Sequence, residues 1–168
     1  VESEVGQGST FWIELPLCDL ISDPETLRVS GNASPPETSA QTGTILYIED
    51  NASNIELVEQ IIGTHRPHVK LVCDMYGKKA LQLAADHKPD LIFLDLHLPD
   101  MQGSEVFRLL QENTLTCNTP VVIITADAMP EQQNKLLKAG VKRYLTKPFD
   151  IPSFLSELDK WINNSTNN

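Results

Sequence analysis

The sequence predicts an α/β domain built on a doubly wound, five-stranded parallel sheet. Two observations carry that prediction. Short apolar runs, each too short for a helix, alternate with longer segments of helical periodicity from residue 45 to residue 162, and this alternation is the signature of βα units. Three of the five runs, 45–48, 91–94 and 121–124, are also apolar at successive positions rather than at every second one, as expected of parallel strands buried on both faces. Four of the five end in polar residues: Ile45-Leu46-Tyr47-Ile48 leads into Glu49-Asp50, Leu91-Ile92-Phe93-Leu94 into Asp95, Val121-Val122-Ile123-Ile124 into Thr125, and Val141 to Thr146 into Lys147. In open parallel sheets the ligand crevice lies outside the carboxyl ends of the strands, so these endings are expected to converge.

Taken in order, strands are expected over 45–49, 69–73, 90–95, 120–125 and 142–146, and helices over 52–64, 77–87, 103–112, 130–139 and 151–162. Ser53, Pro130 and Pro152 fall near helix starts, and Gly140 falls just past a helix end, where these residue types suit the backbone. Residues 19–43 collect Ser22, Pro24, Ser30, Gly31, Ser34, Pro35, Pro36, Ser39 and Gly43 with few large apolar side chains, a linker composition. Four segments are therefore expected: 1–18, a linker over 19–43, the α/β domain over 44–163, and a tail over 164–168.

Composition narrows the function classes. A net charge of −10 argues against nonspecific nucleic-acid binding, since a polyanion is repelled over most of the surface. No apolar run reaches the roughly 18 residues of a membrane span, and a soluble, cytoplasmic protein is expected. Cys18, Cys73 and Cys117 are odd in number and widely spaced, which points to reduced thiols rather than a disulfide framework or zinc site. His65, His68 and His87 show no metal-ligand spacing.

Charge arithmetic sharpens the crevice. Three carboxylates from Glu49, Asp50 and Asp95 within about 5 Å would repel by on the order of 10 kcal/mol at an effective dielectric of 20. Such a cluster must bind a cation, take up a proton or spread apart, and hard oxygen donors at an open crevice suit Mg²⁺. A carboxylate beside a divalent ion is a competent nucleophile toward phosphorus. Asp95 is the candidate acceptor, with the Lys147 ammonium and the Thr125 hydroxyl available to phosphoryl oxygens.

The acidic pair Glu49-Asp50, the segment Phe93-Leu94-Asp95-Leu96-His97-Leu98-Pro99-Asp100-Met101-Gln102-Gly103, Thr125-Ala126 and Lys147-Pro148-Phe149 together resemble a response-regulator receiver domain of the flavodoxin-like fold. The resemblance implies that Asp95 is phosphorylated, that Asp50 and Asp95 ligate Mg²⁺ directly, that Glu49 reaches it through water, and that the main-chain carbonyl of His97 is a further ligand. It also implies a cis Lys147-Pro148 bond and a switch role for Thr125 and Tyr144. His97 and Asp127 occupy the positions that tune acyl-phosphate lifetime in this family. Val5-Gly6-Gln7-Gly8-Ser9-Thr10-Phe11-Trp12-Ile13-Glu14-Leu15-Pro16-Leu17 resembles the end of a histidine-kinase ATP-binding domain, with a glycine turn before a last strand in which Phe11, Ile13 and Leu15 share one face. A hybrid sensor kinase cut short is the implied parent, so the residues present are expected to accept a phosphoryl group without being a kinase.

Expected partners are the kinase dimerisation domain or a histidine phosphotransfer protein, met by a monomer. On the first helix, Asn54, Leu57, Val58 and Ile61 are expected to face the sheet, leaving Ile55 and Ile62 on a flanking stripe as candidate contacts. Two enzyme or carrier classes fit less well. A haloacid-dehalogenase-type phosphatase needs a second aspartate where His97 stands, and a flavodoxin-like electron carrier needs a phosphate loop where Glu49-Asp50-Asn51 stands. The remaining alternative is a receiver-like interaction module that is never phosphorylated.

Overall fold

Residues 2–4, 6, 8–10, 42–126 and 130–165 are described by a computed structural model of the chain. The chain divides into two units, Val1–Glu37 and Thr38–Asn168. In the first, β1 (Glu2–Glu4) pairs antiparallel with β2 (Gly8–Thr10), Glu2 opposite Thr10. Gly6 and Gly8 take φ of 86° and 100° in this connection, the left-handed backbone that a tight turn demands of glycine. The strand expected over Phe11 to Leu15, and the linker up to residue 41, lie outside the described residues.

In the second unit the expected alternation is present throughout. The strands are β3 (Gly43–Ile48), β4 (Val69–Asp74), β5 (Leu91–Leu94), β6 (Val121–Thr125) and β7 (Arg143–Thr146). The helices are α1 (Ala52–His65), α2 (Gly77–His87), α3 (Gly103–Glu112), α4 (Pro130–Lys138) and α5 (Ile151–Ser165). All five strands are parallel in the order β4-β3-β5-β6-β7, the doubly wound flavodoxin-like arrangement.

Side-chain alternation along the strands divides the interior into two cores. Leu46, Ile48, Ile92, Leu94 and Ile123 pack on one face with Ala80 and Ala84 of α2, Val106, Phe107 and Leu110 of α3, and Leu136 of α4. Ile45, Tyr47, Leu91, Phe93, Val122 and Ile124 pack on the other with Val58, Ile61 and Ile62 of α1 and Phe154, Leu158 and Ile162 of α5. Because β4 lies on one side of β3 and β5 on the other, the chain leaves β3 and β5 toward opposite faces, and a crevice opens at their carboxyl ends. Glu49 comes after β3 and Asp95 after β5, so topology alone places them together.

Local sequence explains the helix ends. Asn51 caps α1, its Oδ1 accepting the amide of Ser53 at 2.9 Å. Asp150 caps α5, accepting the amide and hydroxyl of Ser153 at 2.8 Å each. Gly140 lies just past α4 with φ of 109°, as a left-handed helix terminator should. One expectation for α1 is overturned. Ile62 is 3% exposed and sits in the second core, whereas Leu57 is 46% exposed. The helix meets the sheet along a line through Val58, so Ile62, about 40° from it, turns inward and Leu57, about 100° away, turns to solvent. Ile62 is therefore a core residue rather than a docking contact, while Ile55 remains half-buried at the core margin.

Candidate functional site

Glu49, Asp50 and Asp95 each offer a carboxylate oxygen within 4.8 Å of the others. Glu49 is 0% exposed and Asp95 5% exposed, while Asp50 is open to solvent. The backbone fixes this arrangement, since the Asp95 amide donates to Ile48 O at 2.9 Å and the Glu49 amide to Asp74 O at 3.1 Å. Lys147 arrives from the opposite end of the domain. Its Nζ donates to Glu49 Oε2 at 2.6 Å and to Asp95 Oδ2 at 2.5 Å. Its own amide donates to Thr125 O at 2.9 Å, which ties the lysine to the end of β6. Burial pulls the ammonium down, but its hydrogen bonds to Asp95 and Glu49 outweigh this and hold it above the ordinary lysine value.

Phe149 anchors the turn that follows Lys147. The Lys147-Pro148 bond is cis, as expected. Phe149 then stacks on Phe154 of α5 at 5.4 Å between ring centroids, and Phe154 stacks on Phe93 of β5 at 4.8 Å. These aromatic contacts anchor the turn that presents the ammonium to the strand that presents Asp95. Thr125, at the end of β6, is 1% exposed. Tyr144 points into the first core, half-buried. Its hydroxyl has no hydrogen-bond partner among the described residues, and burial pushes the phenol up to about 12. Asp127, named with His97 for acyl-phosphate lifetime, lies outside the described residues; His97 is exposed.

The loop from Asp95 to Gly103 is fastened at several points. The His97 amide donates to Asp95 Oδ1 at 3.0 Å, and the Gly103 amide to Leu96 O at 2.9 Å. A Cβ at Gly103 would collide with the Asp95 carbonyl oxygen and the Leu96 backbone, so glycine is required where α3 starts against the end of β5. Asp100 grips α2, accepting the Gly77 amide at 2.8 Å and the Lys78 amide at 2.9 Å.

Three site contributors were not singled out from sequence. Tyr47 reads there as strand core, Asn54 as a sheet-facing helix residue, and Asp100 only as part of a motif. In the structure Tyr47 Oη donates to Glu49 Oε2 at 2.7 Å and Asn54 Nδ2 to Glu49 Oε1 at 2.9 Å. The i, i+2 spacing of Tyr47 and Glu49 on one strand was the available signal. Chemically, three carboxylates against one ammonium leave the crevice two charges negative. The donor set is hard oxygen, open on the Asp50 side, and already holds a cationic group between two of its members, so these residues fit a small divalent cation.

Comparison with known proteins agrees with the geometry. A family model described as response regulator receiver domain matches residues 45–159. The polar-differentiation response regulator DivK of Brucella ovis is 30% identical over 121 residues, covering 72% of this chain and 97% of that protein. Among solved structures, the receiver domain of sensor histidine kinase PA1611 from Pseudomonas aeruginosa PAO1, with a magnesium ion coordinated in its active-site cleft, is 26% identical. Its TM-score is 0.65, over 73% of this chain and 98% of that one. The BeF3-activated N-terminal receiver domain of Klebsiella pneumoniae RstA is 25% identical with a TM-score of 0.64, over 71% and 97%. With its crevice of Glu49, Asp50, Asp95 and Lys147 at the carboxyl edge of a five-stranded parallel sheet, the chain belongs to the response-regulator receiver family.

Proposed function

We propose that Asp95 accepts a phosphoryl group from a phosphohistidine in a two-component relay and passes it on or loses it to water. The observation that carries this reading is that Asp95, at the end of a buried strand, lies within 4.8 Å of the carboxylates of Glu49 and Asp50 and is bound by the Lys147 ammonium. A carboxylate oxygen of Asp95 attacks phosphorus as the bond from phosphorus to the donor imidazole nitrogen breaks. The imidazole leaves with the electron pair and an acyl phosphate remains on Asp95. Hydrolysis returns the carboxylate and inorganic phosphate. Lys147 tracks the charge: its ammonium, shared between Glu49 and Asp95, supplies a hydrogen-bond donor to a phosphoryl oxygen. Thr125 supplies a hydroxyl to another oxygen, and its movement with Tyr144 is the proposed switch.

Asp50 and Asp95, with the His97 carbonyl, are the proposed ligands of Mg²⁺, and Glu49 acts on it through water. When bound, the ion neutralises charge on the phosphoryl oxygens. The magnesium coordinated in the PA1611 cleft supports this assignment. That receiver belongs to a sensor histidine kinase, which together with the Gly6–Gly8 segment supports a hybrid kinase as the parent and a cytoplasmic setting. The partners proposed are a kinase dimerisation domain or a histidine phosphotransfer protein, with Ile55 on α1 as a contact.

Intact-mass measurement after incubation with Mg²⁺ and acetyl phosphate tests the proposal. The parent chain should gain one phosphoryl group and Asp95→Asn none. An unmodified parent would leave the alternative, an interaction module that is never phosphorylated.

A further inference from the structure

Glu49 is the most constrained member of the acidic cluster. Its Oε2 accepts the Tyr47 hydroxyl at 2.7 Å and Lys147 Nζ at 2.6 Å. Its Oε1 accepts Asn54 Nδ2 at 2.9 Å and, more loosely, the Asn51 amide at 3.4 Å. A carboxylate has about four lone-pair sites, so protein donors already fill this one. Lys147 is the donor with a choice, since it also binds Asp95. Tyr47 has none: it is 0% exposed in β3, with Cys73 and Phe93 as its register neighbours on the flanking strands. A hydroxyl in that core is costly unless paired, and Glu49 supplies the pairing.

Asp50 differs in kind. It is exposed and free to turn toward an ion. Mg²⁺ demands a small octahedral shell, keeps several waters and takes one or two carboxylates, whereas Ca²⁺ takes six to eight oxygens and favours additional carboxylates. A third carboxylate released into the crevice would shift preference toward the larger ion.

We infer that Tyr47, with Asn54, is a positioning residue that withholds Glu49 from direct metal ligation, leaving Asp50 and Asp95 as a two-carboxylate site that favours Mg²⁺ over Ca²⁺. The inference rests on the metal reading of the proposed function. Its mechanism is occupancy: the phenol and the amide hold the carboxylate by both oxygens in the absence of any ion.

Calorimetric titration of the full chain with MgCl₂ and with CaCl₂ tests it, on the parent, Tyr47→Phe, Asn54→Ala and Ile45→Val. Removing the hydroxyl keeps the ring and its packing, and the ratio of Ca²⁺ to Mg²⁺ affinity should rise by about tenfold, the low end for outer-sphere partners of metal sites. Asn54→Ala, on the margin of α1, should move the ratio the same way. Ile45→Val, which trims the same core without touching Glu49, should leave the ratio unchanged. A lowered melting temperature in Tyr47→Phe with an unaltered ratio would mean that the hydroxyl is only structural, and overturns the inference while Mg²⁺ binding by the parent leaves the metal reading standing. If the parent binds neither ion, both fall.

Discussion

Replacing Lys147 with methionine keeps most of the stem and removes the charge between two buried carboxylates. Nζ lies 2.6 Å from Glu49 Oε2 and 2.5 Å from Asp95 Oδ2, and the lysine side chain is 17% exposed. Deleting one partner of a buried ion pair costs roughly 3–5 kcal/mol, and the partial exposure of Lys147 argues for the lower end. Repulsion between two carboxylates at the 4.8 Å limit gives an independent figure of about 3.5 kcal/mol at an effective dielectric of 20. The two agree on a loss of about 3 kcal/mol, or about 10 °C in melting temperature for a domain of this size. Thermal and urea unfolding followed by far-UV circular dichroism, in EDTA, measure it. Millimolar Mg²⁺ should then raise the stability of Lys147→Met more than that of the parent, because the ion relieves a repulsion that the parent already offsets. The held-up ammonium contributes fully below the ordinary lysine value near 10.5, and its contribution disappears as pH rises through the higher folded-state value. The gap between variant and parent should therefore close only in strong alkali. A variant within about 0.5 kcal/mol of the parent in EDTA, below the cost of even a modest buried pair, would refute the reasoning.

Two further substitutions probe the surroundings of the site. Asp100→Ala removes both acceptors from the first amides of α2 and should cost about 1 kcal/mol in urea unfolding, as loss of a helix cap does. Burial raises the Asp100 carboxyl, but the Lys78 and Gly77 amides outweigh it and hold the group below the ordinary aspartate value. The penalty should accordingly be complete above about pH 4 and fade as pH falls through the lower folded-state value. Ile55→Asp should leave phosphorylation by acetyl phosphate unchanged and slow transfer from a phosphorylated histidine phosphotransfer protein about tenfold, as loss of a buried apolar contact at an interface does. Equal rates from both donors in the variant and the parent would remove Ile55 from the docking surface.

The sheet was legible because its three central strands are apolar and buried at successive positions, over 45–48, 91–94 and 121–124, and helical patterns separate them from one another. Glu49, Asp50, Asp95 and Lys147 were legible as a group because polar residues ending such strands have only one edge to share. The face of α1 was not. Its apolar stripe is wide enough to be centred in two ways, and only the packed structure, with Val58 at the centre of the buried line, decides between them; Ile62 faces inward and Leu57 is left outside. The roles of Tyr47 and Asn54 were hidden for a related reason. A tyrosine in a strand and an asparagine on a helix each fit their element without reference to Glu49, and only the folded chain brings their donors to its two oxygens.

The hydrogen bond between Lys147 and Glu49 joins residues 98 positions apart, and β7, the strand that delivers the lysine, lies at the edge of the sheet. During synthesis the acidic residues emerge well before their counter-charge. A ribosome-bound chain ending before residue 147 holds the carboxylates without the ammonium that pairs them, and cannot yet assemble the crevice. Pairing of the carboxylates with their ammonium thus arrives with the βα unit that carries Lys147, which makes this ion pair a reporter of late folding in the domain.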